Sequence, residues 1–234
     1  MFRILSYRKV ASTNETAKKI ASPNTVVIAQ EQTHGKGRFQ RAWSSELGGI
    51  YLSVILATPE KPHYLTFVAA IAAQRAIQDV IGVNTIIKWP NDLLYNSKKV
   101  CGILTETITG SHKLTIVGVG INSNNKIRVS LKKKALSLKE ITKKKIDNKQ
   151  IIGKFLFYFR YYYSYAQKRK YTFILTEWKK RSFLGTPITA KTVSSTYSGT
   201  AFDLDKEGNL LLKRRNGVIK KIKEGDIFLS NQSQ

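Results

Sequence analysis

Apolar and polar positions along this chain follow two different periods, and the change of period marks its organisation. TVVIAQEQ (25–32) is an apolar run that turns polar at its end, which predicts a buried strand. GIYLSVIL (49–56), rich in β-branched and aromatic residues, predicts a second. Pro62 opens a helix in which Leu65, Val68, Ala69, Ala72 and Ala76 share one face. VNTIIKWP predicts a strand stopped by Pro90, with Asn91-Asp92 as a turn. KKVCGILTET and KLTIVGVGIN predict further strands, the latter ending at the polar Asn122. Upstream, Ser12-Thr13-Asn14-Glu15 has capping-box spacing ahead of a helix that runs to about Ile20 and is broken by Pro23-Asn24. Strands and helices alternate, and polar residues sit at strand ends.

Helical periodicity returns at 150–166, where Ile152, Phe155, Leu156, Phe159, Tyr162 and Tyr163 form a broad apolar face. A second helical stretch carries Phe173, Ile174, Leu175 and Trp178. From Gly185 the period shortens. TPITAKTV, SGTAFDLD, NLLLKRR and GVIKKIKEGDIFL read as short strands separated by Gly, Asp and Asn. They predict a small antiparallel barrel of about 45–50 residues. The expected division is 1–184 and 185–234, with no repeats and no long linker.

Hydrophobic residues make up 42% of the 234 positions, enough for a real core. The balance of charge is unusual: Lys+Arg 40 against Asp+Glu 15, a net charge of +25. Such a surface attracts anions of every kind, and charge speaks to association rather than fold. Residues 126–149 concentrate it, holding ten Lys/Arg and only Glu140 and Asp147 as acids. One cysteine, Cys101, excludes an internal disulfide and fits a reducing compartment. No apolar run is long enough to cross a bilayer and no signal-peptide pattern opens the chain, so a cytoplasmic protein without a membrane is expected.

The chemistry sits in three short segments. GKGRFQRAW (35–43) combines two glycines, which let the backbone approach a ligand, with Lys36 and Arg38, which favour a phosphate. Taken alone it reads equally as a solvated basic turn. KWPNDLLYNSKKVCGI (88–103) places Asp92 seven residues before Lys99 across a turn. A carboxylate near a lysine at a strand end suits Mg²⁺ with a nucleotide phosphate. A plain turn with surface lysines is the alternative. VGVGIN (117–122) ends in an amide able to bond a ligand, while its glycines equally suit close strand packing.

Taken in order, EQTHGKGRFQRAWSSELGGIYLS, KWPNDLLYNSKKVCGILTE and VGVGIN, with STNE upstream, resemble the biotin protein ligases. The resemblance covers nearly the whole chain, since GTAFDLDKEGNLLLKRRNGVIKKIKEGDIFLS is similar to that family's small C-terminal domain. It implies an α+β fold: a class II synthetase-like catalytic domain of mixed sheet and helices, then an SH3-like β-barrel. It implies that biotin and ATP form biotinyl-5′-AMP with Mg²⁺ present. A specific lysine of a carboxylase's biotin carboxyl carrier domain then takes the biotinyl group.

By the same resemblance, Ser12, Thr13, Asn14, Gln32, Gly35, Lys36, Gly37, Arg38, Lys99 and Gly102 belong to the biotin site. Arg38, Arg41, Trp43, Asn91, Lys99 and Asn122 belong to the nucleotide site. Lys99, Arg38 and Asp92 are the expected catalytic groups, with Asp92 placed for the metal. Two positions depart from the family pattern. Lys36 replaces an arginine of the GRGR loop, keeping charge but losing the planar fork. Gln40 stands where a glycine is usual, which stiffens the loop. Because STN begins only twelve residues in, no DNA-binding helix-turn-helix and no specific DNA are expected, and the state is monomer or homodimer. A lipoate ligase of the same fold is the near alternative, against which KWPND argues. A basic nucleic-acid-binding protein is the distant one.

Overall fold

The computed structural model describes residues 2–109 and 113–229. Two sheets organise them. The larger has seven strands in the order β1-β2-β3-β7-β6-β5-β4. These are β1 (Arg3–Val10), β2 (Thr25–Gln32), β3 (Ile50–Ala57), β4 (Ile86–Lys88), β5 (Asp92–Tyr95), β6 (Lys98–Ile108) and β7 (Leu114–Ile121). Only β1 and β2 pair in parallel, and α1 (Thr13–Ile20) is the crossover between them that a parallel pair requires. All other neighbours are antiparallel, so the sheet is mixed as expected.

One face of this sheet carries most of the core. α2 (Tyr64–Ile81) is buried along nearly its whole length, not only on the face that its spacing announces. It lies against α4 (Asn148–Gln167) and α5 (Tyr171–Lys179). Trp178, fully buried, meets the Phe67 ring edge-on at 5.6 Å. The other face carries α1, where Ala17 packs with Val27, Ile55, Leu114 and Ile116. β3 runs between the two layers, and each of its residues except Ala57 is buried, which is why IYLSVILA reads as a continuous apolar run.

The smaller sheet holds five antiparallel strands in the order β11-β10-β9-β8-β12. They are β8 (Pro187–Lys191), β9 (Thr196–Leu204), β10 (Leu210–Lys213), β11 (Ile219–Ile222) and β12 (Asp226–Leu229). GVIKKIKEGDIFL, read as one strand from sequence, is two strands at opposite edges of the sheet, broken at Gly225. The last expected residues, 230–234, lie outside the described ones. Trp89 Nε1 donates to the Gly208 carbonyl at 2.9 Å, Tyr64 donates to the Lys206 carbonyl at 2.5 Å and Lys88 to the Ile227 carbonyl at 3.2 Å. The two sheets therefore share a bonded boundary.

The turn at 205–209 between β9 and β10 is built on Asp205. Its carboxylate accepts from the backbone N–H groups of Glu207 and Asn209, each at 2.9 Å, and from the Asn209 side chain, and pairs with Lys221 at 2.7 Å. Burial alone pushes this carboxyl up, but Lys221, Asn209 and the backbone donors outweigh it and hold it at about 2. A depressed folded value adds stability above the ordinary value of 3.8, lost as pH falls through about 2. Asp205→Asn is therefore expected to cost about 1 kcal/mol at neutral pH, after allowing for water around the turn. Urea melts across pH are expected to show the gap to the parent chain closing between about pH 4 and pH 2.

Candidate active site

The site begins with main chain that has no side chains on it. β6 and β7 pair so that Gly102 stands opposite Gly120 and Leu104 opposite Gly118. Gly118 and Gly120, two apart on one strand, face the same way. The indole of Trp43 lies on this strip. A Cβ on Gly120 would come within 2.4 Å of Trp43 Nε1, and one on Gly102 within 2.9 Å of its ring. A Cβ on Gly118 would come within 2.2 Å of Asn14 Oδ1. Above the strip is a cavity of about 350 Å³.

Its polar wall is built from α1 and β2. Gln32, at the end of β2, accepts the backbone N–H of Thr13 at 2.7 Å and the Thr13 hydroxyl at 3.1 Å, and donates to Ser45 at 2.7 Å. Ser53 on β3 lies 2.6 Å from Asn14 Oδ1 and 2.8 Å from Thr13 Oγ1. Asn14 Nδ2 donates to Glu106 at 2.7 Å. Ser12 is buried at the N-cap of α1, but its side chain caps nothing there, and the capping box expected with Glu15 is absent. Glu15 instead meets Lys36 at 2.9 Å and Lys18 at 3.0 Å, and these two ammonium groups hold its carboxyl below the usual range. In so basic a neighbourhood two charge-assisted partners outweigh one backbone N–H.

The opposite wall gathers the ionic groups. Asp92 is the first residue of β5, not part of the turn, which ends at Asn91. The Lys99 ammonium stands 2.6 Å from Asp92 Oδ1, and Lys88 stands 3.5 Å from Oδ2. Lys99 also lies 5.0 Å over the Trp43 ring, a cation–π contact. Asn91 is buried, donates to the Ile103 carbonyl at 2.7 Å and presents Oδ1 to Arg38 at 3.4 Å. Burial lowers the Arg38 pKa from its ordinary value. Asn122 donates to the Lys99 carbonyl at 3.4 Å and accepts from Asn125 at 3.2 Å.

The glycine loop bends sharply between these walls. Phe39 and Gln40 sit at φ 55° and 57°, the left-handed region that favours glycine. The Phe39 ring lies under Arg38 at 4.8 Å and Arg41 at 5.6 Å. Arg41 forms a two-pronged pair with Asp226, at 2.9 and 2.5 Å.

Of the residues expected from sequence, Ser12, Thr13, Asn14, Gln32, Lys36, Gly37, Arg38, Arg41, Trp43, Asn91, Asp92, Lys99, Gly102 and Asn122 all border this one cavity. Gly35 does not. It packs behind the loop, where a Cβ would meet the Trp43 carbonyl at 2.5 Å. Sequence reasoning passed over Gly118, Gly120, Asn125 and Asp226, and the start of the basic run, where Ile127, Arg128, Leu131 and Lys134 reach the cavity. The same-face glycines of VGVG were a legible signal. The contacts from Asp226 and from 127–134 depend on tertiary folding. Among the described residues no group of three His, Cys, Asp or Glu is placed to hold a metal by itself.

Residues 6–124 match the biotin/lipoate A/B protein ligase family, and 183–230 match the biotin protein ligase C-terminal domain. The bifunctional ligase/repressor BirA of Bacillus subtilis is 38% identical, across 94% of this chain and 72% of its own. A biotin–[acetyl-CoA-carboxylase] ligase of Paracoccus denitrificans is 37% identical over 48% of this chain and 50% of its own. The structure of a biotin protein ligase from Aquifex aeolicus in complex with biotin and ATP superposes with a TM-score of 0.88 at 29% identity, covering 98% of this chain and 99% of that one.

The glycine strip makes a direct prediction. Gly120→Ala inserts a methyl group where Trp43 lies, so the indole must leave the strip at a cost of about 1–3 kcal/mol. Trp43 is the half-exposed member of the three tryptophans, Trp89 and Trp178 being buried. The expected result is a red-shifted emission with greater acrylamide quenching. An unchanged spectrum contradicts the packing described.

Proposed function

The chain belongs to the biotin/lipoate A/B protein ligase family, and we propose how its own residues divide the reaction. The enzyme is a biotin–protein ligase: it joins biotin to ATP as biotinyl-5′-AMP and transfers the biotinyl group to a protein lysine. Relatives named for biotin, and the match to a biotin ligase C-terminal domain, favour biotin over lipoate. The observation that carries the division of labour is the Asp92–Lys99 pair facing the Trp43-covered glycine strip across one cavity.

Biotin's ring system takes the polar wall, where Ser12, Thr13, Asn14 and Gln32 offer hydroxyl and amide groups, and its chain runs past the Trp43 ring that covers Gly102 and the strip, toward Lys99. Its carboxylate oxygen attacks the α-phosphorus of ATP, and pyrophosphate leaves. Lys99 turns from Asp92 to the developing charge, so its ammonium is already in place when the phosphorus changes geometry. Trp43 offers a flat face to adenine, and Asn91 and Asn122 hold the nucleotide's polar edge. Arg38 closes on the phosphate, with Gly37 and Lys36 as the flexible part of the loop. Arg41 supports it from Asp226.

Asp92 fits a magnesium ion that arrives with ATP and takes most of its ligands from phosphate and water, which is the usual habit of that cation. When bound, the ion screens the phosphate charge. Of the two carboxylates that border the cavity, Asp226 is taken up by Arg41, and Asp92 would supply the protein's share. The acceptor is a lysine of a biotin carboxyl carrier domain, and the cations around the cavity suit an acidic carrier surface. The buried Cys101, whose thiol is pushed up by burial, fits a reducing cytoplasm, and no described helix is long and apolar enough to cross a membrane.

Pyrophosphate–ATP exchange that depends on added biotin is the direct test, and no exchange at any biotin concentration overturns the assignment. Lys99→Ala is expected to reduce exchange by about 10²–10³-fold. Arg38→Gly is expected instead to form adenylate and release it, labelling bystander lysines. Retention of the adenylate for as long as in the parent chain refutes the closing role of Arg38.

A further inference from the structure

A second cavity, of about 430 Å³, lies against the first. Both are bordered by Arg38, Asn91, Ile103 and Leu104, so the long Arg38–Asn91 contact of 3.4 Å is part of a shared wall. The second cavity opens between the start of α2, β6 and the turn at 205–209, that is, between the two sheets.

Charge distinguishes the two. At the first, Lys36, Arg38, Arg41, Lys99, Arg128 and Lys134 face only Asp92 and Asp226. This suits a nucleotide and repels an ammonium. At the second, Arg38 and Lys223 face Glu207, and His63 borders it with its pKa lowered by burial. The remaining wall is mixed, an apolar side from Phe67, Trp89, Pro90 and Leu104 beside Thr66, Thr105 and Asn209. A passage with one apolar side and a carboxylate at its rim matches a lysine side chain, an aliphatic stem ending in a cation. Glu207 already holds one such cation, Lys61, at 3.0 Å.

We propose that the second cavity is the passage by which the acceptor lysine of the carrier reaches the adenylate, entering past Glu207 and displacing the Arg38–Asn91 contact. The inference rests on the ligase reading above. Arg38 at the inner end disfavours an ammonium there, so the amine sheds a proton to water near the rim and arrives neutral, as a nucleophile must. Its nitrogen then bonds to the biotinyl carbonyl carbon. The bond from that carbon to the phosphate oxygen breaks, AMP leaves with the electron pair, and the remaining surplus proton passes to water. Nucleotide and acceptor thus approach from two sides, and the AMP released by the attack departs on its own side.

Two variants separate this route from the adenylation step. Thr66→Phe fills the passage at a half-buried position, and Glu207→Lys reverses the charge at its exposed rim. Both are measured for biotin-dependent pyrophosphate exchange, for transfer to a purified biotin carboxyl carrier domain, and for trapping of the adenylate by hydroxylamine. Exchange and trapping are expected within about twofold of the parent chain, because neither needs a lysine in the passage. Transfer to the carrier is expected to fall about a hundredfold in Thr66→Phe. In Glu207→Lys the carrier KM is expected to rise about fivefold. Transfer at the parent rate in both variants overturns the proposal. A fall in exchange that matches the fall in transfer also overturns it, by assigning the cavity to pyrophosphate or to the shape of the first site. Should Thr66→Phe fail to fold, the surface variant Glu207→Lys decides. Absence of exchange in the parent chain would instead remove the ligase reading itself.

Discussion

A strip of main chain free of side chains sets where everything else in the site stands. Gly102, Gly118 and Gly120 lie on two neighbouring strands, and two larger groups, the Trp43 ring and the Asn14 amide, occupy the room they leave. Because Trp43 lies so low, Lys99 passes over its ring and still reaches Asp92 across the β5–β6 hairpin. Because Asn14 lies so low, Ser53 and Glu106 fix its amide from both sides. Raising either group by the height of a methyl would separate partners now at hydrogen-bond distance. Strand pairing, the most rigid contact available to a chain, thus controls side chains drawn from a helix, a loop and a hairpin.

The second constraint is the scarcity of acids. With Asp+Glu 15 against Lys+Arg 40, some carboxylates serve two cations. Glu15 lies between Lys18 and Lys36, Asp92 between Lys88 and Lys99, and Glu177 between Lys180 and Arg181. Such sharing weakens the hold on each cation, Lys99 and Lys36 at the cavity included. It also explains the loss of the expected cap at Ser12. STNE and SLKE have the same spacing, yet only Ser137 and Glu140 close a capping box, at the start of α3 (Leu138–Thr142). Glu140 has no competing lysine among its described ion pairs, whereas Glu15 has two.

What was legible follows from whether neighbours in sequence decide the outcome. TVVIAQEQ was read to the residue as β2, because burial on both faces writes a continuous apolar run. β1 was missed, because as an edge strand it leaves Ile4 and Tyr7 exposed and carries polar residues on both sides. β5 was taken for part of a turn, since four residues are too few to show a period. The motif residues converge on one cavity because the strand ends and the loop that carry them meet at the glycine strip. Asp226 and Arg128 carried no such signal. Their roles arise only when β12 and the basic run fold back onto the loop.

The loop itself shows why the small sheet belongs to the active site. Two consecutive non-glycine residues in the left-handed region, Phe39 and Gln40, each cost about 1–2 kcal/mol in an unrestrained chain. Something must hold them there. The loop's own contacts are an exposed ring beneath two guanidinium groups and a short bridge between Lys36 and Ala42. Backbone bonds within the loop, Gly37 N–H to the Arg41 carbonyl at 2.7 Å and Trp43 N–H to the Gly35 carbonyl at 2.8 Å, do part of the holding. The two-pronged Arg41–Asp226 pair adds a restraint from outside, of at most about 1 kcal/mol because the arginine is largely exposed, and Asp226 is the first residue of the strand that Lys88 also grips through the Ile227 carbonyl. A glycine at position 40 would relieve the strain and make that restraint less necessary. With glutamine there the strain stays, and the small sheet, through Asp226, is one of the contacts that hold the loop carrying Arg38.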